Sequence, residues 1–331
     1  MNEEAIWLSE TDVTALVSIG DAIGALESGL KAMGQGQGQN VPKALGGFGD
    51  GTSIHSLGSA LPELGYCGYK NWIHTKRGAK AVYTLFQAHE GKLLAIMEAN
   101  ALGQLRTASM TGLGTKWMAP ATARDMALIG TGRQALAQVA AVNAVRPLKR
   151  IRVWSPTAEN REAFVEHLRP KTEAELINAG SLDEATAGAE LITMVTRAKT
   201  PFLHSNHLPQ GVHLNAVGAI LPTHAEFHQD VFSRVGAIAV DDPTGIQKAS
   251  REFIDYFDHG AGQGQWSRVQ GLSSLIASQQ ISPRANGDIS LFKSVGMGLS
   301  DLSVAILVYQ RAQSQGLGHA LPLTAAAPLR W

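Results

Sequence analysis

The chain has 331 residues in which 28 Lys and Arg balance 28 Asp and Glu, a length that favours two domains with a ligand cleft between them. The neutral balance provides no field to attract nucleic acid or an anionic membrane surface, so neither is expected as a partner. The single cysteine excludes a disulfide framework, and the histidine spacing predicts no metal site. The acidic N-terminus, and apolar runs all shorter than about 20 residues, predict a cytoplasmic protein without a secretory signal or membrane span.

Residues 1–119 predict an α+β region. A short strand and a helix come first, and Ser9 and Asp12 have the spacing of a capping box at the start of that helix. Between residues 53 and 97, four runs of β-type residues separated by Gly or polar turns predict an antiparallel or mixed sheet. A long helix is expected to begin near Gln104 and to end at Trp117.

From Pro120 the pattern changes to alternating strands and helices. Strands are predicted at 126–129, 150–154, 191–195, 213–217 and 237–240, with helices at 133–145 and 158–168. Such alternation implies right-handed parallel crossovers and a doubly wound sheet. A helix over 294–315 does not fit the alternation and is assigned to the first region. The expected fold is α/β, with a doubly wound Rossmann domain at 120–296 and a discontinuous α+β domain at 1–119 and 297–331.

A glycine-rich turn follows the strand predicted at 126–129. Its sequence is Gly130-Thr131-Gly132-Arg133-Gln134-Ala135, and a helix comes next, which is the context in which such a turn binds a dinucleotide. Gly130 permits the tight turn, Gly132 lets the backbone approach the pyrophosphate, and Ala135 keeps the helix close to the strand. The alternative is a βα turn that only packs. The turn predicts a nicotinamide dinucleotide on the first N–H groups of the helix.

The end of the second strand carries no carboxylate that would bind the free 2′-hydroxyl of NADH. It reads Trp154-Ser155-Pro156-Thr157, and Ser155, Thr157 and Arg161 could bind a 2′-phosphate instead. The alternative is that these are loop and helix-cap residues. The sequence therefore predicts NADPH rather than NADH.

Four segments together resemble the ornithine cyclodeaminase/μ-crystallin family. They are the dinucleotide turn, Leu102-Gly103-Gln104-Leu105-Arg106-Thr107-Ala108, Leu214-Asn215-Ala216-Val217-Gly218-Ala219, and Leu291-Phe292-Lys293-Ser294-Val295-Gly296 followed by Asp301. The resemblance runs from about residue 10 to 315. It implies that the first domain binds the substrate and forms a homodimer. The other expected cofactor contacts are Thr107, Thr196, Val217, and the backbone of Ser294 and Val295 at the nicotinamide carboxamide.

By position, the resemblance implies that Lys70 and Arg106 face the nicotinamide. An imino acid brings a carboxylate that Arg106 can bind bidentately, and Lys70, desolvated beside Arg106, could have a lowered pKa and donate a proton. The alternative, that either residue is a solvated surface charge, explains each alone but not both together. Lys43 stands near the place of a second arginine of the family, and it keeps the charge without the planar fork.

Ile220 stands where cyclodeaminases and amino acid dehydrogenases of the family have an aspartate. Isoleucine cannot accept a proton from an amine or from water, so the resemblance favours an NAD(P)H-dependent reductase of imino acids, such as pyrroline- or piperideine-2-carboxylate, giving L-amino acids. Two alternatives stay open. One is the reverse reaction, as an amino acid dehydrogenase or cyclodeaminase, and the other is a non-catalytic small-molecule binder.

Overall fold

In the computed structural model, which describes residues 4–280, 287–322 and 328–330, the chain begins with strand β1 (Ile6–Leu8) and helices α1 (Glu10–Leu16) and α2 (Ile19–Gly34). Ser9 and Asp12 form the predicted capping box of α1. A second capping box, between Ser18 and Asp21, starts α2. The single helix expected here is therefore two, because the hydroxyl of Ser18 binds the N–H of Asp21 and begins a new helix at 84° to the first.

Within the described residues, seven strands form the first sheet, which is the mixed sheet that the sequence predicts. After β1 come β2 (Gln39–Gly47), β3 (Ser53–Leu61), β4 (Tyr66–Thr75), β5 (Gly78–Gln87) and β6 (Leu93–Glu98), and neighbours from β2 to β6 pair antiparallel. Strand β2 was not predicted, and it is an exposed edge strand that contains Pro42. Helix α3 (Asn100–Met118) follows, and the carboxylate of Glu10 accepts hydrogen bonds from its first N–H groups, at Asn100 and Ala101.

In the part of the chain that the structure describes, the second sheet has eight parallel strands, which confirms the doubly wound fold. Its elements are β7 (Asp125–Ile129), α4 (Ala135–Val145), β8 (Arg150–Trp154), α5 (Ala158–Leu168), β9 (Glu175–Asn178), α6 (Leu182–Thr186), β10 (Leu191–Met194), β11 (His213–Ala216), β12 (Val235–Val240), α7 (Pro243–Ala249), α8 (Arg251–Phe257), β13 (Val269–Gly271), α9 (Leu272–Ser278) and β14 (Ile289–Lys293). The strand order is β13-β12-β14-β11-β10-β7-β8-β9. The order reverses between β7 and β10, and the carboxyl ends of strands at such a point form a crevice.

The chain then returns to the first sheet through α10 (Gly298–Gln315) and the short strand β15 (His319–Ala320), which pairs with β1. Helix α10 packs against α2, α3, β3 and β4 and is buried along most of its length, including Asp301. Helix α3 packs against both regions, since it contacts α10 on one side and α4 and β14 on the other. The core beneath α3 therefore crosses the predicted boundaries at 119/120 and 296/297, and the division into two domains stays a prediction.

No single helix in the described part of the chain is long and apolar enough to cross a membrane. The bent pair α1 and α2 meets the length and composition test only when the two helices are taken together.

Candidate active site

The glycine-rich turn after β7 has the geometry that dinucleotide binding requires. Gly130 has a φ of +112°, which L side chains rarely adopt, and a Cβ there would lie 3.0 Å from the carbonyl oxygen of Val195. The space around Gly132 is open, with no atom within 4 Å of where its Cβ would stand. Ala135 is fully buried and begins α4 against the sheet. The turn therefore leaves room for a phosphate group at the start of α4.

A cleft of about 790 Å³ opens at the carboxyl ends of β7, β8, β10, β11 and β14. It brings together most residues that the sequence predicts for the site: Arg106, Thr107, Gly130, Thr131, Gly132, Arg133, Gln134, Ser155, Thr157, Thr196, Val217, Ile220, Ser294 and Val295. Lys43, Lys70, Ala135 and Arg161 lie outside this lining. The volume is in the range that encloses a cofactor or a small ligand.

The loop after β8 is fixed by hydrogen bonds of its own. The hydroxyl of Ser155 donates to the carbonyl oxygen of Thr157 and accepts from the hydroxyl of Thr131, each over 3.2 Å. Arg161, which the sequence suggested for a 2′-phosphate, donates to the carbonyl oxygen of Ser155 over 2.8 Å and to the side chain of Asn178. Arg161 therefore supports the loop from behind, because its guanidinium is engaged there rather than turned into the cleft.

Glu226 joins two loops of the cleft, and it is not among the residues that the sequence predicts for the site. Its buried carboxylate accepts bonds from the N–H and hydroxyl of Thr196, over 2.7 and 2.8 Å, and from the N–H groups of Gly218 and Ala219, over 2.9 and 3.0 Å. Lys293, also buried, donates to the carbonyl oxygen of Ala219 over 2.7 Å. The loops after β10 and β11 are thus held together from the side away from the cleft. The feature of the sequence that could have identified Glu226 is a lone acid close to an otherwise apolar loop.

Asp241 fixes the loop after β14 in the same way. It is buried, and its carboxylate accepts from the hydroxyl of Ser294 over 2.6 Å and from the N–H groups of Val295 and Gly296. The next residue, Asp242, caps α7 instead, because its side chain accepts from the N–H of Thr244. Because the Val295 N–H is engaged, the backbone groups of Ser294 and Val295 left for a carboxamide are their carbonyl oxygens.

Lys70, Arg106 and Asp301 form a buried cluster beside the cleft. The Nζ of Lys70 donates to Oδ1 of Asp301 over 2.7 Å, and Nε of Arg106 lies 3.4 Å from the same oxygen. Burial and the Arg106 charge lower the pKa of Lys70 to about 8, although Asp301 opposes that shift. The guanidinium of Arg106 borders the cleft, since a Cβ on Gly296 would lie 3.0 Å from its Nη1. One carboxylate therefore holds both cations together, with Arg106 in the cleft lining and Lys70 beside it.

Asp301 follows the motif at 291–296, and the sequence alone assigns it no role. In the fold, its carboxylate contacts Lys70 and Arg106. Its side chain is fully buried in α10, and its Oδ2 has no hydrogen-bond partner among the described residues. An acid in the apolar run Gly298-Leu299-Ser300-Asp301-Leu302 is the signal that could have identified it, because such a charge is costly to bury without a cation.

Lys43 and Trp72 lie next to this cluster on the first sheet. The Nζ of Lys43 is 5.6 Å from the centroid of the Trp72 ring, and the Nζ of Lys70 is 5.1 Å from it. Much of the Lys43 side chain is exposed, yet enclosure of its ammonium and the nearby Arg106 lower its pKa. Lys70 and Arg106 share one carboxylate, and Lys43 adds a third positive charge nearby, which leaves positive charge for an anionic ligand.

The cleft itself favours an anionic ligand. Its described lining includes Arg106, Arg133 and Arg197 and contains no Asp or Glu. Ile220, which is 40% exposed, lies in this lining and has no group that could accept a proton. Within the described residues, no group of three or more His, Cys, Asp or Glu is arranged to hold a metal ion.

The chain is similar in sequence and in fold to known proteins. The chain is 28% identical to Δ1-pyrroline-2-carboxylate reductase of Bacillus cereus and 30% identical to mouse ketimine reductase mu-crystallin, each over 244 residues. These matches cover 74% of this chain and 74% and 72% of the relatives. Its fold is similar to that of Thermococcus litoralis Δ1-pyrroline-2-carboxylate reductase in complex with NADH and L-proline, with a TM-score of 0.89, 24% identity, and 96% of this chain and 100% of that chain covered. The sequence model of the ornithine cyclodeaminase/mu-crystallin family matches residues 3–316, so the chain belongs to this family.

Proposed function

We propose that this protein is an NAD(P)H-dependent reductase that converts imino acids, in particular cyclic ketimines such as pyrroline- or piperideine-2-carboxylate, into L-amino acids. The observation that carries the proposal is the meeting of Lys70 and Arg106 at Asp301, beside a cleft whose lining includes Arg106 and the dinucleotide turn. Relatives at 28% and 30% identity bear the names of a pyrroline-2-carboxylate reductase and a ketimine reductase, and they support the same chemistry.

The residues divide the work between binding and proton transfer. Arg106 presents a planar fork to the substrate carboxylate, and Lys43 adds a second positive charge. Reduced nicotinamide, when bound, supplies the hydride that converts the C=N carbon into CH. Lys70 gives the proton that the nitrogen needs, because a buried ammonium with a pKa of about 8 is protonated at neutral pH and releases its proton readily.

Ile220 favours the reductive direction. Oxidative deamination needs a base to take a proton from the amine and then to activate water, whereas reduction needs a carboxylate grip and a proton donor. The cleft lining offers arginines and isoleucine but no carboxylate among the described residues. A diamino acid would bring an extra ammonium group to a region that is already positive, at a desolvation cost of several kcal/mol.

The same absence of acid supports a preference for NADPH over NADH. The described cleft residues near the end of β8 are Trp154, Ser155, Pro156, Thr157 and Asn160, with Arg133 nearby in the dinucleotide turn. Arg133 replaces Arg161 as the proposed cation for a 2′-phosphate, because Arg161 is engaged behind the loop. Introducing a carboxylate with Ser155→Asp should shift the ratio of the two dissociation constants towards NADH. Equal affinities in the native protein would contradict the preference.

We also propose a cytoplasmic homodimer that pairs through the first sheet. Ile54 and Ile73 face each other across β3 and β4, and with Val82 on β5 they expose between 37% and 50% of their surface. Such an apolar sheet face is typical of an interface. Sedimentation equilibrium would distinguish a dimer from a monomer, and Ile73→Glu should shift the population towards monomer.

The function is tested by following NADPH oxidation with Δ1-pyrroline-2-carboxylate and Δ1-piperideine-2-carboxylate near neutral pH. We expect oxidation with both, and L-proline and L-pipecolate as products by chiral chromatography. Arg311→Gln, which alters a surface pair with Asp21, serves as a control and should retain the rate. No oxidation by a native protein that binds NADPH would overturn the proposal.

A further inference from the structure

Trp72 lies beside the proposed substrate site, and it has no part in the proposed carboxylate binding or proton transfer. It follows Lys70 by two residues on β4, so both side chains are on the same face of the sheet. The ammonium groups of Lys70 and Lys43 lie 5.1 and 5.6 Å from its ring centroid. A carboxylate held by these cations would therefore bring the rest of a small substrate close to the indole.

His55 fixes the orientation of this indole. The two residues are cross-strand partners on β3 and β4, and their rings stack with centroids 4.5 Å apart and planes at 6°. The Nε2 of His55 lies 2.7 Å from the hydroxyl of Ser53, which holds the imidazole in place. Burial and the neighbouring Lys43 and His74 lower the pKa of His55 to about 4, so the stack carries no charge of its own at neutral pH.

We propose that Trp72, held by His55, determines substrate specificity by selecting α-imino acids whose C=N bond lies in a flat, uncharged ring. This inference rests on the proposed reduction of imino acids. In a cyclic ketimine the ring fixes the substituents of the C=N bond near one plane and adds ring carbons beside it, so a substrate gripped by Arg106 presents a larger and more rigid face to an indole than an open-chain imine does. Offset stacking of this kind changes affinity by up to about tenfold. A cationic side chain is disfavoured, because the ammonium groups of Lys43 and Lys70 already lie over the ring, 5.6 and 5.1 Å from its centroid.

Kinetics with two kinds of imine test the inference. For each variant, kcat/KM is measured for Δ1-piperideine-2-carboxylate and for the open-chain imine formed from pyruvate and methylamine. We expect Trp72→Leu to lower the ratio of the cyclic to the open-chain value by about tenfold. Trp72→Phe, which keeps an aromatic face, should retain most of the ratio. Asn71→Ala, on the opposite face of the same strand, is the matched control and should leave it unchanged.

A binding measurement separates this inference from the proposed reaction. Calorimetry on protein saturated with NADP⁺ compares pyridine-2-carboxylate, which is flat, with L-pipecolate, which is puckered. Trp72→Leu should weaken binding of the flat acid by about tenfold, with little effect on the puckered acid or on NADP⁺. An unchanged kinetic ratio together with unchanged binding of the flat acid would overturn the inference while leaving imine reduction intact. If Trp72→Leu lost binding of the flat acid while the native protein reduced none of the imines, the stacking role of Trp72 would be supported and the proposed function would be overturned.

Discussion

Replacing Asp301 with Asn removes the carboxylate that contacts both Lys70 and Arg106 while keeping the shape of the side chain. In the native protein Asp301 raises the pKa of Lys70 against the effects of burial and of Arg106, and the balance is a pKa of about 8. Without that charge the pKa of Lys70 falls further below its ordinary value. The ammonium that we propose as proton donor is then lost at a lower pH.

The size of the effect follows from the 2.7 Å contact between Lys70 and Asp301. Two unit charges about 4 Å apart interact by about 4 kcal/mol at an effective dielectric constant of 20, so loss of the Asp301 charge should change the ionisation of Lys70 by an energy of this order. One pKa unit corresponds to about 1.4 kcal/mol. We therefore expect the pKa of Lys70 to fall by between about one and three units.

The assay is the pH dependence of kcat for imine reduction at saturating NADPH. In the native protein the rate should decline as the pH rises through about 8, since Lys70 loses its proton there. In Asp301→Asn the same decline should occur at least about one unit lower. Asp21→Asn removes a carboxylate from the surface pair with Arg311 and should leave the profile unchanged. A profile in Asp301→Asn that stays in place or moves to higher pH, in protein that still binds NADPH, would refute this role.

Three further substitutions test separate parts of the site. Gly132→Val should weaken NADPH binding by at least about tenfold without a large change in Tm, because it fills the open space at the turn; unchanged affinity by calorimetry would move the dinucleotide elsewhere. Arg106→Lys should raise KM for the imino acid and spare the dissociation constant of NADPH, since lysine keeps the charge but not the fork, whereas loss of NADPH affinity instead would remove Arg106 from the substrate site. Glu226→Gln puts an amide against a set of N–H donors, so cofactor binding should weaken more than Tm falls; a fall in Tm with unchanged NADPH affinity would assign Glu226 to stability alone.

Periodic patterns along the chain predicted the larger elements well. The alternation of apolar strands and helices after Pro120 identified the doubly wound sheet, because strands buried on both faces form continuous apolar runs such as Met126-Ala127-Leu128-Ile129. Short or polar strands escaped, among them β2, β9 and β13, since few of their residues are buried and pairing with neighbours decides their structure.

Side-chain partners at the site could not be predicted in the same way. Local motifs in the sequence predicted many of the residues that line the cleft. In the structure, 14 of the predicted residues lie in its lining. Asp301 meets Lys70 across 231 positions of sequence, and Glu226 ties together loops from two different strands. Such contacts depend on how helix α10 and the loops pack, which one sequence does not record. Trp72 escaped for the same reason, because only the register of β3 with β4 places it against His55.

The direction of the reaction is the most direct test of the proposed function. The native protein is given either Δ1-piperideine-2-carboxylate with NADPH or L-ornithine with NAD⁺ near neutral pH, and cofactor absorbance and released ammonia are measured together. Because Ile220 provides no base and the site is rich in positive charge, we predict rapid NADPH oxidation with the imine and no ammonia from ornithine. Conversion of ornithine into proline and ammonia at a rate comparable to imine reduction would contradict the account.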